Sequence, residues 1–209
     1  MTGLVLAGGL SSRFGSDKSR VVVPGGAGDM TDFSLRLLSS LKEVNRLAVS
    51  CRPEQTAALK GRNVILIPDE ESGRPTPLKG LVAALRRLSG PVLAIPCDLP
   101  LMTPDILEML IRARTTALSE KREAVLLRTT FIDDEGFLES LIGIYESGSL
   151  PFLEEALHQG RLGIWSAIPA SGNCLVPRPD SPAFLNMNTP EEYDRAVSLL
   201  SSKNPPAAP

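Results

Sequence analysis

Short, nearly continuous apolar runs alternate with helix-period segments through the first 130 or so residues. Gly3-Leu4-Val5-Leu6-Ala7, Leu47-Ala48-Val49, Val64-Ile65-Leu66-Ile67, Val92-Leu93-Ala94-Ile95 and Ala124-Val125-Leu126-Leu127 read as strands buried on both faces. Between them, Leu78, Leu81, Val82, Leu85 and Leu88 form one helical stripe with Arg86 and Arg87 off it. Ile106, Leu107, Leu110 and Ile111 form another, with Arg112 and Arg114 towards solvent. That rhythm predicts βαβ units with right-handed crossovers, hence an α/β fold whose mostly parallel sheet is covered by helices on both faces.

Beyond residue 130 the pattern loosens. Phe131 to Tyr145 has no clear assignment, Pro151 to Gln159 reads as a short helix, and Gly163 to Ile168 and Ala183 to Met187 as strands. A last helix is expected from Pro190 to about Ser201. No internal repeat or linker divides the chain. One domain is therefore expected over residues 1–201, with a disordered tail over 202–209 that has nothing to bury. Thr76-Pro77, Thr103-Pro104 and Thr189-Pro190 mark helix starts, the Thr capping free N–H groups and the Pro losing no bond at the first helical position. Thr189 with Glu192 forms a capping box. Asp69 and Asp98 follow the third and fourth strands but precede the capping Thr by several residues, so neither is needed as a cap. Both lie on the edge where open α/β sheets bind ligands.

Composition removes several classes of function. With 43% hydrophobic residues in 209, the chain can bury a sizeable core. Lys and Arg number 22 against 24 Asp and Glu, a net of −2, which argues against a broad nucleic-acid surface. His158 is the only histidine, so multi-His metal sites are excluded and a Ser-His-Asp triad would have to use it. It reads as a helix C-terminal residue near Gly160. Cys51, Cys97 and Cys174 lie far apart, so neither a disulfide framework nor a zinc site is expected. No stretch approaches about 18 apolar residues, so no membrane span is expected, and the first residues lack the basic start of a leader. A cytoplasmic protein is expected. Arg86 and Arg87 read as a solvated face, and Trp165 and the cysteines as packing residues.

The densest feature is Leu6-Ala7-Gly8-Gly9-Leu10-Ser11-Ser12-Arg13-Phe14-Gly15-Ser16-Asp17-Lys18, directly after the first strand. Glycines let a backbone approach a ligand, successive N–H groups can form an anion-binding concavity, and Arg13 and Lys18 add charge suited to phosphate oxygens. Neither G-x-G-x-x-G nor a Walker A spacing is present.

This loop resembles the signature of nucleotidyltransferases with a three-layer Rossmann-like, GT-A-type fold, and most closely the molybdenum cofactor guanylyltransferases. That family opens with approximately L-A-G-G-x-S-x-R-M-G-x-D-K, from which this chain departs only by Phe14. Asp69 with Gly73, Pro77, Leu78 and Gly80 matches D-x-x-x-G-x-x-x-P-L-x-G. Pro96-Cys97-Asp98-Leu99-Pro100 matches P-x-D-x-P, and Gly143-Ile144-Tyr145 resembles a G-x-Y element. Asn186-Met187-Asn188-Thr189-Pro190-Glu191 matches N-x-N-T-P-E. The motifs occur in order over residues 4–195. Cys51 stands where the family usually has Asn, Lys79 replaces a small residue, and residues 24–29 form an enlarged Gly-rich loop.

The resemblance implies transfer of GMP from magnesium-bound GTP to the phosphate of molybdopterin, releasing pyrophosphate. It places Leu6, Ala7, Gly8, Gly9, Lys18, Cys51, Asp69 and Asp98 at the nucleotide, with the Gly8-Gly9 pair favouring guanine. Lys18 would neutralise triphosphate charge, Arg13 would hold the departing pyrophosphate, and Asp98 would ligate Mg²⁺. Asn186 and Asn188 would face the pterin. GTP and molybdopterin are the implied partners, with transient contacts to other molybdenum cofactor proteins and none to nucleic acid or membrane. Cys51 and Lys79 keep open a CTP-dependent molybdopterin cytidylyltransferase, or a sugar-phosphate nucleotidyltransferase. A noncatalytic nucleotide-binding module is a third reading. The physical chemistry agrees with the leading one, because in-line attack on an α-phosphorus asks the protein chiefly for positioning and charge neutralisation. Mg²⁺ needs few protein ligands when phosphates and waters complete its shell.

Overall fold

In the first strand, β1 (Thr2–Leu6), Leu4 and Leu6 pack with one group of buried residues and Val5 with another. Period-two alternation thus sends one strand's side chains into two separate cores. The computed structural model describes residues 1–8, 21–22, 28–69, 75–120 and 124–203. Along them follow α1 (Met30–Ser39), β2 (Arg46–Cys51), α2 (Thr56–Leu59), β3 (Ile65–Pro68), α3 (Pro77–Arg87), β4 (Val92–Pro96) and α4 (Pro104–Ser119). The second half adds β5 (Arg128–Ile132), β6 (Leu138–Tyr145), α5 (Leu150–His158), β7 (Asn173–Pro177) and α6 (Pro190–Lys203).

The strands form one sheet ordered β3-β2-β1-β4-β6-β5-β7. β6 runs antiparallel to both its neighbours, and every other adjacent pair is parallel. Helices α1 and α4 supply Leu38, Leu107 and Leu110 to one core, while α3 and α5 supply Leu78, Leu81 and Leu153 to the other. The result is the expected three-layer α/β arrangement. Since β2 lies on one side of β1 and β4 on the other, the strand order reverses at β1, and the crevice between the carboxyl ends of β1 and β4 is the ligand-binding position of such sheets. Among the described residues, no helix is long and apolar enough to cross a membrane.

The expected helix stripe of α3 is buried as read, and α5 ends at His158 shortly before Gly160, whose φ of +70° stops it. All three Thr-Pro pairs start helices, but only two Thr cap. Thr76 accepts from the Lys79 N–H (3.4 Å) and Thr189 from the Glu192 N–H (3.3 Å), whereas the Thr103 side chain makes no cap bond.

Four readings need correction. The strand expected over Ala124–Leu127 begins instead at Arg128: Val125 is 75% exposed, and the sheet continues through Thr129 and Thr130, whose polarity hid a buried strand of β-branched residues. Phe131 to Tyr145, unassigned from sequence, is the end of β5, a turn, and the eight-residue β6. Gly163–Ile168 is not a strand but a 3-10 turn at Ile164–Ser166. Ala183–Met187 is likewise no strand. Pro182 starts a 3-10 turn there, capped by Ser181 accepting from the Ala183 N–H (3.2 Å), and the last strand is β7, which sequence reading missed. At the C-terminus α6 continues to Lys203, two residues past the expected end.

Candidate active site

Asp69 sits directly after β3, its N–H donating to the Cys51 carbonyl (2.8 Å) and its Oδ1 accepting from the Ser50 hydroxyl (3.1 Å). Only 7% of it is exposed. Burial pushes its carboxyl above the usual carboxylate range, and the Ser50 hydrogen bond opposes that rise. Two glycines make room for this carboxylate. A Cβ at Gly8 would fall on Asp69 Oδ2, and a Cβ at Gly80 would fall on Ser50 Oγ, 3.5 Å from Asp69 Oδ1. The Ala7 N–H donates to the Ser50 carbonyl (2.8 Å), and Gln55 Nε2 donates to the Ala7 carbonyl (3.3 Å). The exit of β1 is thereby fixed against β2, with the carboxylate behind it.

Asp98 lies two residues past β4, half-buried, and its carbonyl accepts from the Met187 N–H (2.9 Å). One hydrogen bond thus joins the P-x-D-x-P and N-x-N-T-P-E segments. Met187 is fully buried and packs on Met30 of α1, which holds the segment in place. Asn188 belongs to the start of α6, where its N–H and that of Thr189 donate to the Glu192 carboxylate (2.5 and 3.0 Å). Asn186 instead lines a cleft of about 300 Å³, with Pro77 at the start of α3, Pro96 at the end of β4, Ser140, Leu162 and Trp165. Three motif segments from distant parts of the chain therefore meet at one opening beside the Asp98 loop.

The wall of that cleft is built by an irregular strand. Between Thr130 and Ile132 the β5–β6 register shifts, and the Thr130 hydroxyl lies 2.9 Å from both the Glu139 and Ile142 carbonyls. Such irregularities bend a strand and re-aim its side chains. Arg128, fully buried, ties the wall together: Nε donates to Asn173 Oδ1 (3.0 Å), and Nη1 reaches the Ile164 carbonyl (3.2 Å) and Ser140 Oγ (3.4 Å). Its Nη2 has no hydrogen-bond partner, and no carboxylate among the described residues pairs with it. Tyr145, also fully buried, donates to the Ser140 carbonyl, and burial pushes its phenol up to about 12 despite the nearby guanidinium.

Gly9, Arg13, Lys18 and Gly73 lie outside the described residues. Leu6, Ala7, Gly8, Asp69 and Asp98 gather at the carboxyl ends of β1, β3 and β4, with Cys51 ending β2. Cys51 has no exposed surface and belongs to the core that α1 and α4 cover; burial also pushes its thiol up. No group of three or more potential metal-ligating side chains forms among the described residues. A partly accessible single carboxylate such as Asp98 fits a hard cation that keeps most of its shell as water and phosphate oxygen.

The model of the MobA-like NTP transferase domain family matches residues 3–171 of the chain, a span containing Gly8, Gly80, Asp69 and Asp98. The chain belongs to this family. A protein from Thermococcus kodakarensis named "probable molybdenum cofactor guanylyltransferase" is 27% identical over 210 residues, covering 98% of each chain. One of the same name from Trichormus variabilis is 30% identical over 193 residues, covering 92% of this chain and 88% of its own. A crystal structure of molybdopterin-guanine dinucleotide biosynthesis protein A from Archaeoglobus fulgidus superposes with a TM-score of 0.77 at 25% identity, over 97% of this chain and all of the other.

Within this MobA-like domain, sequence reading overlooked Ser50 and Arg128 and took Trp165 for a packing residue. Ser50 has no motif signal, because a serine in an apolar strand reads only as an interruption. Arg128 was hidden for the same reason. Trp165, expected to pack inside, is 66% exposed at the rim of the cleft. Arg86 is not only a solvated side chain: it pairs with Glu154 of α5 (2.7 Å).

Proposed function

We propose that this protein transfers GMP from GTP to the phosphate of molybdopterin and releases pyrophosphate. One observation carries the reading: the Asp98 loop and the Asn186–Asn188 segment are joined by the Met187–Asp98 hydrogen bond at the carboxyl edge. A nucleotide lying on Gly8 and an acceptor lying on Asn186 would then meet at Asp98. The names of the relatives support guanine and a molybdenum cofactor as the substrates.

In the transfer, an acceptor phosphate oxygen forms a bond to the α-phosphorus as the bond from that phosphorus to the bridging pyrophosphate oxygen breaks. Pyrophosphate leaves with the electron pair. The attacking group is already ionised, so no general base is required of the protein. Gly8 brings the main chain after β1 to the crevice with Asp69 behind it, and Arg13 and Lys18 would neutralise the nucleotide's phosphates. Asp98 would hold Mg²⁺, which supplies charge neutralisation on the phosphates. Asp69, held behind Gly8 by Ser50, orders the nucleotide side of the crevice.

Pyrophosphate release is the test, measured with molybdopterin and each of GTP, CTP, ATP and UTP. GTP is expected to be preferred, and Asp98→Ala to lower the rate by about 100-fold or more, as loss of a metal-positioning group does. Equal rates for wild type and Asp98→Ala, or a preference for CTP, would overturn the proposal.

A further inference from the structure

We infer that Trp165 is the platform on which the planar ring of the acceptor stacks, and that the cleft it borders is the acceptor's subsite. The inference rests on the proposed function and deepens it.

Position is the first ground. The cleft is lined by Pro77, Pro96 and Asn186, which lead into the loops carrying the family motifs, and it opens beside Asp98 rather than on a remote face. At about 300 Å³ it lies at the lower end of the 300–1,000 Å³ typical of small-molecule sites. A fused heterocycle fits there with its phosphate directed along the edge towards Asp98.

Chemistry is the second. Trp165 is the only tryptophan in the chain, and 66% of it faces water, as does half of Leu162 beside it. An indole face with a polar rim recognises flat conjugated rings, because stacking on an aromatic side chain strengthens the binding of any nucleobase-sized ring. Ser140 and the Asn186 amide supply the polar lining that orients such a ring.

Pre-organisation is the third. The indole rests on Gly163, where a Cβ would come 2.8 Å from Nε1 and 3.0 Å from Cδ1. The preceding Ile164 is 95% buried by its own exposure of 5%, and its carbonyl is held by Arg128. With Ile164 anchored inward, the turn directs the next side chain outward over the cleft. Arg128 ties this turn to Ser140 of the cleft wall, reaching Ile164 on one side and Ser140 on the other.

The test uses the full chain as wild type, Trp165→Phe, Trp165→Ala and Gly163→Ala. Steady-state pyrophosphate release is measured while GTP and molybdopterin are varied separately, with thermal midpoints alongside. Trp165→Ala and Gly163→Ala are expected to raise the acceptor KM by about tenfold or more while leaving the GTP KM unchanged. Trp165→Phe, which keeps a ring, is expected to stay within about threefold of wild type. An unchanged acceptor KM in Trp165→Ala, with wild type active, overturns the inference and leaves the proposed function standing. Inactivity of wild type with GTP and molybdopterin overturns the proposed function instead. Calorimetry with 6-(hydroxymethyl)pterin phosphate then decides the cleft by itself: weaker binding to Trp165→Ala supports the platform, and equal or absent binding to both proteins rejects it.

Discussion

Gly8 and Asp69 are packed so closely that a single methyl group cannot be placed between them: a Cβ at Gly8 would fall on Asp69 Oδ2 and lie 3.2 Å from Cγ. The carboxylate cannot swing aside freely, because Ser50 holds its other oxygen at 3.1 Å. Glycine at this position is thus a matter of space rather than of backbone conformation. Gly8→Ala is expected to cost about 1–3 kcal/mol as an overpacked site. For a chain of this size that lowers the midpoint of thermal unfolding by about 2–4 °C per kcal/mol. Asp69→Ala in the same chain should recover most of the loss, and a double-mutant cycle showing strict additivity would refute the contact.

The other side of the carboxylate makes a parallel case. A Cβ at Gly80 would fall on Ser50 Oγ and stand 3.2 Å from Ser50 Cβ. Gly80→Ala is therefore expected to destabilise by about 1–3 kcal/mol and to displace the hydroxyl that holds Asp69. Combined with Ser50→Ala, which deletes the clashing atom, the penalty should be smaller than the sum of the two single changes. Thermal or denaturant unfolding of the four proteins measures it. A cycle with no coupling would show that the two residues do not meet.

These contacts explain how far the sequence could be read. The strands β1 to β4 and the stripe of α3 are apolar runs of the right length, so alternation alone locates them. The glycine loop and the two aspartates stand out because their residue types have no other use at strand ends. Ser50 and Arg128 were illegible because each is a polar residue inside a buried strand, and only the partners Asp69, Asn173 and Ile164, 19 to 45 residues away, account for them. The final strand was misplaced because Ala183–Met187 and β7 offer similar short apolar runs. What separates them is tertiary: β7 finds β5 as a parallel strand partner, while the Met187 N–H donates to the Asp98 carbonyl of a loop.

Asp69 also leaves a signature in pH. Its carboxyl is harder to ionise in the folded chain than in the unfolded one, because burial outweighs the Ser50 hydrogen bond. Such a group favours the folded state at acid pH. That contribution is fully present below its unfolded value and is lost as pH rises through its folded value. Asp69→Asn keeps the acceptor oxygen for Ser50 but cannot ionise. The variant is expected to gain stability relative to wild type as pH rises from about 4 to about 7, while nucleotide turnover falls. Unfolding midpoints of both proteins across that range provide the check, and curves that stay parallel would show that Asp69 ionises freely in the fold.

The last prediction concerns the return from the glycine loop into α1. Asp29 caps the helix by accepting from the Asp32 N–H (2.9 Å), and Asp32 accepts in return from the Asp29 N–H (3.2 Å). Arg62, in the turn before β3, reaches both carboxylates at 2.8 and 3.2 Å. Asp29 also bridges Val22, and the Met30 N–H donates to the Val21 carbonyl (3.0 Å), so the far end of the segment that starts at Gly8 is pinned here. Asp29→Ala removes the cap and one leg of the ion pair, an expected loss of about 1–2 kcal/mol; Asp29→Asn keeps the cap and should lose about 1 kcal/mol or less. The pinning also has a kinetic consequence. Because Arg13 and Lys18 fall in sequence between Gly8 and this anchor, Asp29→Ala is expected to raise the GTP KM more than Asp29→Asn does, with the acceptor KM unchanged. Equal GTP KM values for both variants and wild type would show that the anchor stabilises α1 without shaping the loop.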